Sequence, residues 1–301
     1  MISRRLCAAL AIQASLLLLA MSYLVARGML TGAAILSTCA AFLLVNTFAV
    51  VAGYVTLRVY AVMLGFSARR AAGRTWRCAI LEMLSLFAVF FVLQPFERLW
   101  MGKDAVGKLP PGGTPILLVH GYLCNRGLWW WMRRRLRSRH LVVATVNLEP
   151  PLADLDFLAA QLGKRIEGLL QEAGAEKLVL ITHSMGGLVA RAYLQAHGAA
   201  RVAGLLMLAA PTHGTYVAQL GRGANSLQMR PQSQWLQRLN RQPLPPVPVS
   251  NIWTRDDEIL LPPDTARLEK VHEFVFEDMG HMAVVFSPRV FQCLEAELGR
   301  A

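Results

Sequence analysis

The sequence predicts an α/β domain, with a mostly parallel sheet of about six strands covered by helices on both faces, set behind a membrane segment. Three observations carry this reading. Three nearly uncharged apolar runs crowd the N-terminus, and six short Val/Ile/Leu-rich runs alternate with helical patterns after residue 112. In addition, the stretch KLVLITHSMGGLVAR, Lys177 to Arg191, joins an apolar strand to a helix through a serine beside two glycines.

The apolar runs cover residues 6–26, 31–55 and 79–95, each about long enough to cross a bilayer as a helix. Arg4 and Arg5 before the first run would also suit a signal peptide, but no small-residue cleavage site precedes the second run. Three transmembrane helices are therefore expected. With 54% hydrophobic and 17% charged residues, the chain is too apolar for an ordinary soluble enzyme.

The net charge of +12 does not point to nucleic acid, because +8 of it lies in residues 1–110, beside the apolar runs. Arg58, Arg69, Arg70, Arg74 and Arg77 fall between the second and third runs, whereas Arg27 alone falls between the first and second. By the positive-inside rule the N-terminus faces the cytoplasm, and three spans carry the rest of the chain to the other side. In a bacterium this means an inner-membrane protein with a periplasmic globular domain.

The expected organisation is a membrane domain at 1–97, a Gly/Pro-rich linker at 98–112 and the globular domain at 113–301. Strands are expected in 115–121, 140–148, 177–184, 203–211, 247–254 and 272–278, with helices near 127–138, 153–173, 186–198 and 287–299. The stretch 127–139 (GLWWWMRRRLRSR) suits either a membrane interface or a helix packed on the sheet with solvated arginines. Residues 215–246 read as a short lid or a connecting helix. A disulfide between Cys124 and Cys293 is permitted in an oxidising compartment, but nothing in the sequence supports it and two buried free thiols are expected; no metal-ligand spacing occurs among the five cysteines.

Ser184 ends the apolar run VLITHS, and Gly186 and Gly187 let the following helix pass close to the strand, as a nucleophile elbow requires. Thr182 departs from that motif, standing where its first glycine belongs. A serine nucleophile needs a histidine base and an orienting carboxylate, in the order serine, acid, histidine. His197 and His213 fall too early and His272 opens the last strand, which leaves His281, on the loop after it, as the base. Asp256 and Asp257 both follow the preceding strand and both qualify as the acid. In enzymes built on such an elbow, the oxyanion donors are the backbone N–H groups of the residue after the serine and of one in the loop after an early strand: here Met185 and Tyr122.

The motifs HGY (120–122), THSMGG (182–187), AAPTHGT (209–215), Asp257 five residues before Pro262, and GH (280–281) resemble the bacterial lipase and esterase branch of the α/β-hydrolase superfamily over roughly residues 113–295. The resemblance implies an α/β-hydrolase core, Asp257 as the acid, and tolerance at the position of Thr182. It also implies hydrolysis of carboxylic esters, with acyl lipids as the expected class, and no metal or cofactor. Two other readings are a thioesterase or acyltransferase using the same residues, and a degenerate binding module carried by functional membrane helices.

Overall fold

The computed structural model of the chain describes residues 1–66, 72–110 and 112–300. Helices α1 (Ile2–Ala26) and α2 (Thr31–Met63) form an antiparallel pair joined by a short turn, and α3 (Ala72–Phe87) continues through a π-helical turn at Ala88–Leu93. By length and composition, Ile2–Ala26, Thr31–Met63 and Trp76–Leu93 could each cross a membrane. The helices overrun the expected bounds. Arg4, Arg5 and Arg58 lie inside α1 and α2, Arg74 and Arg77 lie inside α3, and Arg69 and Arg70 lie outside the described residues.

After a short helix α4 (Glu97–Met101), the chain enters a six-stranded sheet of order β2-β1-β3-β4-β5-β6, parallel throughout. The strands are β1 (Ile116–Val119), β2 (Val143–Val146), β3 (Leu178–His183), β4 (Val202–Leu208), β5 (Val249–Thr254) and β6 (His272–Phe276). Each falls in an expected run or within one residue of it. The helices are α5 (Trp130–Arg137), α6 (Leu155–Ala173), α7 (Met185–His197), α8 (Ala224–Gln228), α9 (Gln234–Arg241), α10 (Ala283–Phe286) and α11 (Pro288–Leu298).

Alternation along the strands divides the core in two. Leu117, Val119 and Leu180 face one side, with Leu158, Leu162 and Ile166 of α6 and Leu188 of α7. Ile116, Leu118, Val179 and Ile181 face the other, with Met132 and Leu136 of α5 and Leu294 of α11. Burial on both faces explains why these strands read as continuous apolar runs. The second cluster also takes in Val89, from the π-helical continuation of α3, and Met101 of α4.

The arginine-rich stretch divides between its two readings. Trp129 is fully buried, and Arg133 is buried against Asp104 at 2.9 Å. Arg134 and Arg135 are exposed and lie over the rings of Trp130 and Trp131. Asp104 also accepts the Thr145 N–H at 2.8 Å, which ties the preceding segment to β2.

Candidate active site

Strand β3 ends at His183, and Ser184 turns the chain into α7 with φ 54° and ψ −128°. A non-glycine residue at positive φ is strained by about 1–3 kcal/mol, and the turn is held by its neighbours. The Ser184 N–H donates to the Leu208 carbonyl at 2.8 Å, and the Gly187 N–H to the Ser184 carbonyl at 2.9 Å. A Cβ on Gly186 would come within 2.6 Å of the Val119 carbonyl oxygen, and one on Gly187 within 2.6 Å of the Ala210 Cβ. Those two glycines supply the close approach. Thr182 is fully buried, and its hydroxyl points to the Leu206 carbonyl at 3.4 Å, so its bulk is absorbed on the β4 side.

The loop after β1 passes directly beside the serine. A Cβ on Gly121 would lie 2.8 Å from the Ser184 Cβ, and the next residue, Tyr122, lines the same cavity as Ser184. Met185 opens α7, so its N–H has no partner within the helix. His120 is a buried structural residue. Its Nε2 accepts the Leu148 N–H at 3.0 Å, its Nδ1 lies 2.9 Å from the Gly121 carbonyl, and burial lowers its pKa to about 4.

The loops after β5 and β6 are laced together residue by residue. Asp256 accepts the Asp278 N–H at 2.6 Å, Asp257 Oδ2 lies 2.8 Å from His281 Nδ1, and Glu258 Oε2 lies 3.5 Å from the His281 N–H. Asp257 Oδ1 accepts from the N–H groups of Ile259 and Leu260 at 2.9 and 2.7 Å, which fixes the carboxylate's orientation. It is Asp257, and not Asp256, that meets the histidine. Burial opposes a charge on His281, but the adjacent Asp257 carboxylate outweighs it and holds the imidazole's pKa above the usual value. The other histidines lie elsewhere: His272 pairs with Glu297 at 3.1 Å, His197 stacks on Tyr193, and His213 contacts Thr212.

Four residues at this site carry no role in the sequence analysis, although His183 and Gly280 stand in its motifs. The His183 ring lies tilted against His281 with ring centroids 4.7 Å apart, and its Nε2 lies 3.1 Å from the His281 carbonyl; burial keeps it neutral. Glu82, from the middle of α3, is fully buried and accepts the N–H groups of Met282 and Ala283, each at 2.8 Å. The Glu258 carboxyl lies beside it, and burial together with the charges of Glu82 and Asp257 drives the Glu258 pKa well upward. Gly280 passes between the two, since a Cβ there would sit 2.5 Å from Glu82 Oε2 and 2.6 Å from Glu258 Oε2. An acid inside an otherwise uncharged apolar run was the available signal for Glu82.

A cavity of about 540 Å³ opens at Ser184, lined by Tyr122, Leu152, Val217, Leu220 and Ile259, and by Arg5 and Leu57 from α1 and α2. The first part of the 215–246 segment walls this cavity. Its second part, α9, is docked on the core through Trp235, Leu236 and Leu239, and the Trp235 indole donates to Asp156 at 3.0 Å. Cys124 and Cys293 are free thiols, with pKa values raised by burial to about 12 and about 11.

Residues 152–292 match the profile of the PGAP1-like alpha/beta domain, a span that holds Ser184, Asp257 and His281. Among solved structures, the chain is similar to mature Bacillus licheniformis lipase BlEst2, with TM-score 0.58 and 16% identity over 65% of this chain and 96% of that one. It is also similar to Aspergillus fumigatus lipase B, with TM-score 0.52 and 17% identity over 62% of this chain and 52% of that one. The fold is that of an α/β hydrolase with three long apolar helices at its N-terminus.

Proposed function

We propose that the protein is a membrane-anchored serine hydrolase that cleaves the carboxylic esters of acyl lipids. The observation that carries this is the convergence of a serine on a strained strand-to-helix turn with a buried Asp257–His281 pair at the same edge of the sheet. The carboxyl ends of β3, β5 and β6 supply these groups, where sites of open α/β sheets form.

In this reading His281 Nδ1–H donates to Asp257, which leaves Nε2 free to take the Ser184 proton as Oγ attacks the acyl carbonyl carbon. The N–H groups of Tyr122 and Met185 bind the oxyanion. Collapse breaks the bond to the alcohol, which leaves with the proton held on His281. Water then attacks the acyl-enzyme, His281 takes one of its protons, and the carboxylic acid and free serine are released.

The substrate class rests on the cavity. Its apolar walls suit a hydrocarbon chain, and Leu57 and Arg5 bring the membrane segment to within its lining. Purified protein in detergent should hydrolyse p-nitrophenyl esters and acyl glycerophospholipids. Absence of acyl release from both, with water, alcohols and thiols each offered as acceptor, would refute the proposal.

A further inference from the structure

The third apolar run has the length of a membrane span, yet one face of it is packed on the globular domain. Val89 packs in the sheet's second core cluster, with Leu86 and Phe90 against it. The Leu93 carbonyl would lie 2.6 Å from a Cβ on Gly127, and the Gln94 carbonyl accepts from Asn125 at 2.9 Å. Glu82, near the start of the run, is bonded to the backbone of Met282 and Ala283. A helix bonded to the globular domain from Glu82 to Gln94 moves with that domain and does not stand apart from it as a separate span.

The ends of the helices say the same. If all three runs spanned, the start of the first and the end of the third would lie on opposite faces of a hydrocarbon core about 30 Å thick. Instead the Cys7 thiol lies 3.0 Å from the Pro95 carbonyl. The Met1 ammonium pairs with Glu149, the Tyr60 hydroxyl lies 3.2 Å from Gln219, and the Phe66 ring lies tilted against Tyr216 with centroids 5.5 Å apart. The start of α1 and the end of α2 therefore both rest on the globular domain, while at the other end of the hairpin the backbone bonds of Arg27 to Leu30 run to Tyr23, Leu24, Val25 and Ala34, and Arg27 lies over the Tyr23 ring.

We propose that α1 and α2 cross the membrane as a two-span hairpin, that α3 lies at the membrane interface as part of the globular domain, and that this domain stands on the same side as the N-terminus. The arginine distribution makes that side the cytoplasm, with Arg4, Arg5, Arg58 and Arg77 on it and Arg27 alone across the bilayer. This reverses the periplasmic placement that three spans imply. The occupant of the outward face of α3, where Trp76, Ile80, Leu81 and Leu84 are exposed, is the lipid of the cytoplasmic leaflet. That face is continuous with the hairpin, because α2 packs on α3, and Phe96, Leu99 and Trp100 extend it as an apolar and aromatic rim. The Ser184 cavity, lined by Arg5 and Leu57, then opens beside that leaflet.

The test uses the full chain in three forms. Alkaline phosphatase, active only in the periplasm, is expected to be silent when fused after residue 301, and a fluorescent protein that matures in the cytoplasm is expected to be bright there; an active phosphatase overturns the proposal. Arg27→Cys in intact spheroplasts is expected to react with a membrane-impermeant maleimide, relative to the parent chain; no added labelling means that the hairpin does not cross and likewise overturns it. A spin label at Leu84→Cys in liposomes is expected to collide with oxygen in preference to a water-soluble nickel chelate. Preference for the chelate, or dipolar broadening from a second copy seated on α3, refutes the lipid-facing placement.

Discussion

Ser184, Asp257 and His281 come from three separate strand ends, so substitutions at each have separable consequences. Asp257→Asn keeps the shape of the loop but removes the acceptor for His281 Nδ1–H, and a loss of about 10⁴-fold in kcat is expected. Asp256→Asn retains an oxygen for the Asp278 N–H and should stay within about tenfold of the parent. Ester hydrolysis by the two variants checks this, and the reverse order would mean that the loop register is wrong. The raised pKa of His281 sets the pH dependence. Because its charged form persists above the usual histidine range, the neutral base becomes available only as pH climbs through that raised value, and kcat/KM should rise with pH there. A rate already flat through that interval would contradict His281 as the base. Motif and chain order single out Ser184 and His281 in the sequence. Position alone leaves Asp256 and Asp257 open, because adjacent residues differ only in the direction they point; the resemblance picks Asp257, and the turn at Ile259 and Leu260 aims its carboxylate at His281.

At the scale of elements, the loops after β5 and β6 and the helix α3 form one polar assembly around Gly280. Glu82→Leu would leave the N–H groups of Met282 and Ala283 buried without an acceptor, at about 1–3 kcal/mol each, whereas Glu82→Gln keeps a carbonyl oxygen for them. Melting temperature should fall clearly for the first and much less for the second; equal losses would show that these bonds do not matter. Glu258 adds a pH signature. Its folded pKa is raised above its unfolded value, so the native state binds the extra proton and stability declines as pH rises from the ordinary glutamate range through the raised value. Glu258→Gln should flatten that decline, as followed by thermal unfolding across pH. The strands themselves were legible because burial on both faces leaves a continuous apolar signature. The docking of α3 was not, since an apolar helix facing lipid and one facing a protein core share a composition.

Across the whole molecule, the two-span proposal puts the start of the globular domain before the end of the third apolar run. Val89 and Leu93 are buried, and Glu82 accepts from the backbone beside His281, so on this proposal α3 belongs to the globular domain. A chain that begins at residue 72 is expected to fold and react with a serine-directed probe once solubilised in detergent, and one that begins at residue 97 to lose both properties. Equal reactivity of the two would place the boundary after Phe96.

The central claim is that Ser184 is an activated nucleophile, and covalent labelling by a fluorophosphonate probe tests it most directly. The parent protein should label in gel fluorescence, with the adduct located by mass spectrometry on the peptide that contains Ser184. Ser184→Ala removes one oxygen from a turn held by the Leu208 carbonyl and by Gly186 and Gly187, so that variant should fold and stay dark. Undiminished labelling of folded Ser184→Ala would contradict the account.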